Sequence, residues 1–205
     1  MKPLYWGSLN TLECVEKELR SGGVVLAGGD TVLGLLAELS DKGYAQLDSI
    51  KKREKKPYLL LVSSQKKALD LIEKDSVKIC QIEKLMDVCW PGPVTLILKA
   101  KATVPAGVKS AEGNVAVRVP DHAGLLELLE RFDGLFSTSA NSSGKPVPAR
   151  LQDVEESIIG AVSCVVLNEN QAESVLASTI IDCTGEKIKI VREGASNPML
   201  HFLLR

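Results

Sequence analysis

The sequence predicts a single α/β domain, and three observations lead to that expectation. Hydrophobic residues make up 45% of the 205 residues, which is enough to bury a sizeable core. Segments with helical periodicity alternate with short apolar runs along the chain. No linker rich in Pro, Ser or Gly and no low-complexity block interrupts the alternation. We therefore expect residues 1–205 to form one domain.

Apolar residues three and four positions apart predict the helices. The first is expected over 11–20 and ends at Ser21-Gly22-Gly23, a typical glycine exit. Asp41 is the candidate cap of the second helix, which carries Tyr44, Leu47 and Ile50. Further helices are expected over 64–72, 77–90, 123–131 and 153–159.

Short apolar runs predict the strands. The run 32–39 follows the glycine pair Gly28-Gly29, and its unbroken apolar character suits a strand or turn that is covered on both sides. The other strands are expected over 24–27, 58–62, 94–98, 115–119, 135–138, 164–167, 179–182 and 187–192. The apolar tail, 198–205, is expected to pack back on the body, with a subunit contact as the alternative.

Charge and cysteine usage exclude several classes of protein. The chain has 25 Lys plus Arg against 26 Asp plus Glu, which removes the electrostatic case for a general nucleic-acid or anionic-membrane binder. The start of the chain has no signal-peptide pattern, and no apolar run reaches transmembrane length, so we expect a cytoplasmic protein. Five scattered cysteines without a C-x-x-C pair predict free thiols rather than disulfides or a zinc site.

The segment Phe136–Pro146 is the most informative part of the chain. An apolar strand end runs there into small hydroxyl and amide residues with no bulky side chain among them. Backbone N–H groups and short side chains of such a loop can close around an anion. A strand end with local turn bonds is the alternative interpretation.

Several cationic residues stand at positions that need an explanation. Lys51 and Arg53 lie near the end of a predicted helix, where they are either solvated charges or a pair that binds a polyphosphate. Arg118 ends an apolar strand, where a guanidinium is costly unless a carboxylate or phosphate meets it, and Arg192 repeats that pattern. His122 is expected simply to begin a helix.

Common catalytic signatures do not occur. There is no phosphate-binding G-x-x-x-x-G-K-[ST] loop, no G-x-G-x-x-G after a strand and no G-x-S-x-G elbow. With two histidines in the chain, Ser-His-Asp chemistry and histidine metal sites are poor candidates. The remaining candidates are cations and hydroxyls, which together predict a site for a phosphorylated ligand.

Taken in order, seven segments resemble the YrdC/Sua5 family of L-threonylcarbamoyladenylate synthases. They are Gly28–Leu35, Lys51–Arg53, Trp90–Thr95, Val117–His122, Ser137–Asn141, Ser178–Thr179 and Val191–Gly194. The K-x-R and S-x-N elements, with W-P-G-P-x-T between them, make the ordered set specific. The resemblance spans roughly residues 10 to 195, and the chain is similar to the short, YrdC-only form.

The resemblance implies a fold, a reaction and a setting. The fold is a YrdC-like α/β structure whose twisted mixed sheet and flanking helices line an open, positively charged cavity. The reaction converts ATP, bicarbonate and L-threonine into threonylcarbamoyl-AMP and pyrophosphate, with Mg²⁺ accompanying ATP and no tightly bound metal site in the protein. It is the first step toward N6-threonylcarbamoyladenosine at position 37 of tRNA, so the transferase machinery of that pathway and tRNA are implied partners.

The resemblance also implies roles for nine residues. Those expected at the ATP or adenylate are Lys51, Arg53, Ser139, the backbone of Ala140, Asn141 and Arg192, with Lys51 and Arg53 as the catalytic cations. Those expected at threonine are Arg118, which would hold the carboxylate, Thr31 and Ser178.

The first of these segments departs from the family pattern. Gly28-Gly29 stands where the family usually has Pro-Thr, and Leu33 where it has an aromatic residue. Weakened threonine binding or a changed amino-acid preference is one expectation from these changes. The main alternative is a non-catalytic RNA- or tRNA-binding or regulatory protein, and a further one is a carbamoyl-adenylate transfer like that of the related hydrogenase-maturation domain.

Overall fold

A computed structural model describes residues 2–52, 57–74, 79–169 and 176–196. Arg53 and the apolar tail over 198–205 lie outside the described residues. The expectations for these two parts of the chain therefore stay predictions.

Within the described residues the chain forms six α-helices and ten strands. The helices are α1 (Thr11–Arg20), α2 (Asp41–Lys51), α3 (Gln65–Leu71), α4 (Ile79–Cys89), α5 (Ala123–Glu130) and α6 (Glu156–Ile159). The strands are β1 (Leu4–Tyr5), β2 (Val24–Ala27), β3 (Gly34–Glu38), β4 (Leu59–Leu61), β5 (Val94–Lys99), β6 (Asn114–Arg118), β7 (Leu135–Ser139), β8 (Cys164–Leu167), β9 (Thr179–Asp182) and β10 (Lys189–Arg192).

Short polar side chains start several of the helices. The Ser40 hydroxyl accepts a hydrogen bond from the Gly43 N–H at 3.1 Å, so Ser40 rather than the predicted Asp41 caps α2. His122 caps α5, because its Nδ1 accepts from the Leu125 N–H at 3.1 Å. The prediction that His122 begins a helix is therefore confirmed. The helix expected over 153–159 is instead a 3₁₀ turn, Leu151–Asp153, followed by the single turn of α6.

The described strands join in one mixed sheet with the order β1-β8-β2-β3-β7-β4-β6-β5-β9-β10. The pairs β1–β8, β2–β8, β4–β6 and β5–β9 are parallel, and the other five are antiparallel. The predicted α/β class with a mixed sheet and flanking helices is confirmed. Strands from distant parts of the sequence are neighbours, which brings the ends of many segments to one surface.

Alternate residues of the strands enter two hydrophobic clusters, one on each face of the sheet. On β2, Val24 and Leu26 belong to the larger cluster, while Val25 and Ala27 belong to the smaller one. The larger cluster is completed by residues of α2, α3, α4 and α6, namely Leu47, Ala68, Leu85, Met86, Cys89 and Ile158. The smaller cluster is completed by residues of α1 and α5, namely Val15, Leu19, Leu125, Leu128 and Leu129.

The smaller cluster leaves room for a cavity on its face of the sheet. On β6, Val115 and Val117 point into the larger cluster, so Ala116 and Arg118 point to the opposite face. Both of these residues line the cavity. Four helices thus cover one face of the sheet, and the cavity opens on part of the other.

Candidate functional site

The cavity has a volume of about 540 Å³ and is bordered by strand residues and by the loop between β2 and β3. Five of the predicted site residues line it: Thr31, Arg118, Ser139, Ser178 and Arg192. They come from five separate segments of the sequence. Apolar side chains such as Leu36, Leu61 and Ile180 lie between them.

Arg118 is a buried cation at this cavity. Its side chain is 5% exposed, and its Nη1 lies 3.3 Å from Oδ1 of Asp30, whose side chain is 8% exposed. The same Nη1 donates to the Thr31 hydroxyl at 3.1 Å. Burial lowers the pKa of Arg118, while the Asp30 carboxylate raises it and the charge of Arg192 lowers it. Asp30 therefore supplies the charge that makes a buried guanidinium tolerable.

The hydrogen-bonding capacity of this ion pair is incompletely used. Arg118 Nε and Asp30 Oδ1 are both buried and have no hydrogen-bond partner among the described residues. The other carboxylate oxygen, Oδ2 of Asp30, accepts from the Asp121 N–H at 2.9 Å. The Arg118 guanidinium thus retains a buried donor that the described residues do not satisfy, which is costly.

Arg192 and Ser178 form a second group. Arg192 Nε and Nη2 both donate to the Ser178 carbonyl, at 3.1 and 2.7 Å, and Nη2 lies 3.2 Å from the Ser178 hydroxyl. That hydroxyl pairs with the Thr95 hydroxyl at 2.8 Å, and Thr95 also lines the cavity. Burial lowers the pKa of Arg192. The charge of Arg192 in turn lowers the pKa of Arg118, which lines the same cavity.

Lys51, Ser139 and Asn141 form a third group at the end of β7. Lys51 is buried, and its Nζ donates to the Ser139 carbonyl at 2.7 Å and to the Asn141 carbonyl. It also lies 3.3 Å from Oδ1 of Asn141, which accepts the Ser139 hydroxyl at 2.6 Å. The solvated-charge interpretation of Lys51 is therefore wrong, because this ammonium is buried and organises the loop. Arg53, its predicted companion, lies outside the described residues.

The Ala140 backbone has a structural task in this loop. Its N–H donates to the Leu33 carbonyl at 2.9 Å, and the residue is fully buried. The Ala140 N–H is therefore already engaged within the protein, and the backbone contact with ATP or the adenylate that the resemblance implies stays a prediction.

The three residues that depart from the family pattern do not share one environment. Gly28 and Gly29 line the cavity, whereas Leu33 is fully buried in the larger cluster on the opposite face. A side chain at position 33 is therefore not a wall of this cavity. At Gly29 an added Cβ would lie 2.8 Å from Cδ1 of Leu125, so this loop packs closely on α5. The departure at the cavity is confined to the two glycines.

Two side chains hold the loop that contains Gly28 and Gly29 by donating hydrogen bonds to its carbonyl groups. Trp6 Nε1 donates to the Gly28 carbonyl at 2.9 Å, and Asn168 Nδ2 donates to the Gly29 carbonyl at 3.1 Å. Asn168 Oδ1 lies 2.6 Å from Nε2 of His122, whose ring packs edge-on against Trp6. Nothing in the local sequence around Trp6 or Asn168 marks these residues as partners of residues 28 and 29.

Asp30 and Thr95 were also overlooked as site residues, although both lie in segments that carry the resemblance. The signal for Asp30 was available, since a buried Arg118 requires a carboxylate or phosphate, and Asp30 lies next to Thr31. Among the described residues, no group of three or more His, Cys, Asp or Glu side chains could hold a metal ion. In the same part of the chain no helix combines the length and apolar character needed to cross a bilayer.

Two arginines, a lysine-stabilised loop and several hydroxyls give this cavity the chemistry of an anion-binding site. The fold and site together define an α/β protein with an open cavity on one face of its sheet, lined by arginines and hydroxyls. The model of the Sua5/YciO/YrdC family, described as "Telomere recombination", matches residues 17–194. The chain belongs to this family.

Relatives and solved structures agree with that assignment. A Methanocaldococcus jannaschii protein is 33% identical over 185 residues, covering 89% of this chain and 85% of its own. The threonylcarbamoyl-AMP synthase of Pyrococcus abyssi is 30% identical over 178 residues, covering 86% of this chain and 52% of its own. The chain thus spans about half the length of that enzyme. The crystal structure of P. abyssi Sua5 complexed with L-threonine superposes with a TM-score of 0.82 at 27% identity, covering 94% of this chain and 56% of that one.

Proposed function

We propose that this protein is a nucleotidyltransferase that forms L-threonylcarbamoyladenylate and pyrophosphate from L-threonine, bicarbonate and ATP. The observation that carries the proposal is that Thr31, Arg118, Ser139, Ser178 and Arg192 line one cavity. Relatives named threonylcarbamoyl-AMP synthase support it, as does the likeness to a structure complexed with L-threonine.

The reaction needs positioning and charge dispersal more than proton transfer. The threonine amine adds to CO₂ derived from bicarbonate and loses a proton, giving a carbamate. A carbamate oxygen then forms a bond to the α-phosphorus of ATP, and the bond from that phosphorus to the bridging oxygen breaks to release pyrophosphate. Holding two anions at reacting distance while spreading the developing charge suits a cavity lined by cations and hydroxyls.

The amino-acid side of the site is assigned to Arg118, Thr31 and Ser178. The Arg118 guanidinium, which lines the cavity and is held by Asp30, suits a carboxylate, because a guanidinium can donate two parallel N–H bonds to it. Arg192 donates to the Ser178 carbonyl next to this group. We therefore expect Arg192 to contact the α-phosphate of ATP from the side of the cavity assigned to threonine.

The nucleotide side is assigned to Lys51, Arg53, Ser139 and Asn141, with the backbone of Ala140. Lys51 holds the Ser139 and Asn141 carbonyls, so its first contribution is the shape of the loop that receives the phosphates and ribose. Mg²⁺ enters as part of the MgATP substrate. In this assignment Lys51 and Arg53 stabilise charge on the leaving pyrophosphate.

The product is the activated intermediate for the threonylcarbamoyl group of tRNA position 37. The proposed setting is the cytoplasm, with one domain over residues 1–205 that passes its labile product to the transferase of that pathway. The net charge of −1 favours delivery of the intermediate over tight binding of tRNA by this chain.

The test is pyrophosphate release from ATP in the presence and absence of each co-substrate. Release should require both L-threonine and bicarbonate, and the product should contain the threonine carbon skeleton linked to AMP. Serine and valine in place of threonine probe the effect of Gly28 and Gly29 on the choice of amino acid. Release that is independent of threonine and bicarbonate would overturn the proposal. Salt-dependent tRNA binding by a protein inert toward ATP would favour the non-catalytic alternative.

A further inference from the structure

The segment that follows β7 connects the proposed nucleotide loop to α6. It contains Asn141, a turn at residues 142–145 and Val147, which lines the cavity. The turn is closed by a hydrogen bond from the Lys145 N–H to the Ser142 carbonyl at 3.1 Å. Gly144 has a φ of +84°, a conformation that suits glycine, so the shape of this turn is well specified.

The Asn141 carboxamide is held from two sides. Its Oδ1 accepts the Ser139 hydroxyl at 2.6 Å and lies 3.3 Å from Nζ of Lys51. Its Nδ2 donates to the carbonyl of Lys145 at 2.5 Å. Because one of these anchors is the backbone of the turn, the orientation of Asn141 depends on where the turn lies.

Glu155 holds the turn in place. Its Oε1 accepts the Ser142 N–H at 3.0 Å, and its Oε2 lies 2.6 Å from Nζ of Lys145. The carboxylate of Glu155, the residue that precedes α6, therefore contacts both ends of the turn. The Glu155 side chain is 28% exposed and Lys145 is 60% exposed, so the contact lies at the surface.

We propose that Glu155 is a positioning residue for nucleotide binding, which acts by fixing the 142–145 turn and through it the Asn141 carboxamide. This inference rests on the proposed function, because it takes Asn141 to contact the nucleotide. Glu155 itself does not line the cavity and touches no reacting group. Its effect should fall on the nucleotide and spare threonine, whose assigned residues lie in other segments.

The charged state of Glu155 supports this role. The hydrogen bonds from Lys145 and Ser142 lower the pKa of Glu155 to about 2. The carboxylate is consequently ionised throughout the range in which the enzyme can be assayed. The effect of removing its charge should therefore be the same at about pH 6 and about pH 8.

The experiment measures the Kd of a non-hydrolysable ATP analogue and of L-threonine by calorimetry in a graded set of variants. Glu155→Ala removes both contacts and should weaken analogue binding about tenfold, whereas Glu155→Gln and Lys145→Met each remove the ion pair and should weaken it about threefold. Threonine affinity and the thermal midpoint should stay close to the wild-type values. The charge exchange Glu155→Lys with Lys145→Glu should recover part of the lost affinity.

Glu156→Gln is the matched control, because Glu156 is the next residue, is exposed and makes no ion pair within the described residues. Equal analogue affinity in Glu155→Ala and Glu156→Gln, in a protein that releases pyrophosphate, would overturn the positioning role and leave the proposed function intact. Equal losses for the analogue and for threonine would also overturn it, since they indicate a general loss of structure. A wild-type protein that binds no analogue would reject the proposed function together with this inference.

Discussion

Asp30 and Arg118 show how single residues set the electrostatics of the site. Both side chains are almost fully buried, and their ion pair is not supported by a full set of hydrogen bonds. Removing one partner from such a pair typically costs about 3 to 5 kcal/mol, because the other charge is left buried. Asp30 thus stabilises Arg118, and Asp30→Ala should destabilise the protein because it leaves the guanidinium buried without its counter-charge.

Lys51 is the residue for which the structure supports the sharpest mutational prediction. Lys51→Met keeps the apolar stem but removes the ammonium that joins the Ser139 and Asn141 carbonyls. We expect catalytic efficiency with ATP to fall roughly a hundredfold, as for the loss of a charge-stabilising donor. Pyrophosphate release as a function of ATP concentration measures the effect.

Lys52→Asn is the control for this change. Lys52 is exposed and has a φ of +46°, a conformation that asparagine tolerates. Its activity should equal that of the wild type. An equal loss in both variants, or no loss in Lys51→Met, would contradict the role of Lys51.

The sequence was enough to predict many residues of the site, but few of the partners with which they form hydrogen bonds and ion pairs. Arg118 and Arg192 each end a strand, and that unusual position was enough to mark them. Their partners Asp30 and Ser178 are 88 and 14 positions away in the sequence, and no local pattern connects such residues. Lys51 could not be distinguished from a solvated lysine, because burial of its ammonium depends on a loop about 90 residues later.

At the scale of elements, alternation along the strands explains which surface carries the cavity. On β7, Phe136 enters the larger cluster while Ser137 and Ser139 line the cavity, which Thr138 also borders near the end of the strand. On β5, Val94 and Leu96 are likewise in the cluster and Thr95 lines the cavity. The period of two was visible in the sequence, but which face the helices leave open depends on the order of the strands.

Gly194 supports a prediction about how β10 is held. A Cβ at this position would meet the Ala177 carbonyl oxygen and lie 2.6 Å from the carbonyl carbon of Ser178, and rigid backbone cannot yield as a side chain does. Gly194→Ala should destabilise the protein by about 1 to 3 kcal/mol in denaturant unfolding and should weaken threonine binding, because Ser178 and Arg192 must shift.

Gly185→Ala is the matched substitution. A Cβ there would lie 3.8 Å from its nearest neighbour, the Lys187 carbonyl oxygen, which is an ordinary contact. Its unfolding free energy and threonine affinity should stay near those of the wild type. Wild-type threonine affinity in Gly194→Ala would contradict the account of this close approach.

The boundaries of the elements were predicted closely where apolar periodicity was strong, as for α1 and β8. The differences have local causes. The two residues of β1 are too few to form a pattern, and they pair as a strand only because β8 lies beside them. Ser40 rather than Asp41 caps α2, since the hydroxyl of the residue before the helix reaches the free N–H of Gly43.

At the scale of the whole molecule, the distribution of burial predicts the reactivity of the thiols. Cys14 and Cys80 are exposed, whereas Cys89, Cys164 and Cys183 are buried, and burial raises the pKa of each of these three to about 12. At pH 8 only on the order of one in ten thousand of the buried groups is a thiolate. A disulfide reagent should therefore label the two exposed cysteines rapidly in the native protein.

Titration of the same sample in denaturant provides the reference, because all five thiols should then react. Rapid labelling of all five without denaturant would contradict the burial of the core cysteines.

The order of strands in the sheet has a consequence for biosynthesis. β8 inserts between β1 and β2, and β9 joins β5, so segments that are synthesised later pair with much earlier ones. A nascent chain that stops before residue 168 lacks the hydrogen bond from Asn168 to the Gly29 carbonyl. One that stops before residue 192 also lacks the side chain of Arg192 at the cavity. The cavity can therefore be completed only after residues 164–192 have been synthesised, so the folding of the site depends on contacts between segments that are far apart in the sequence.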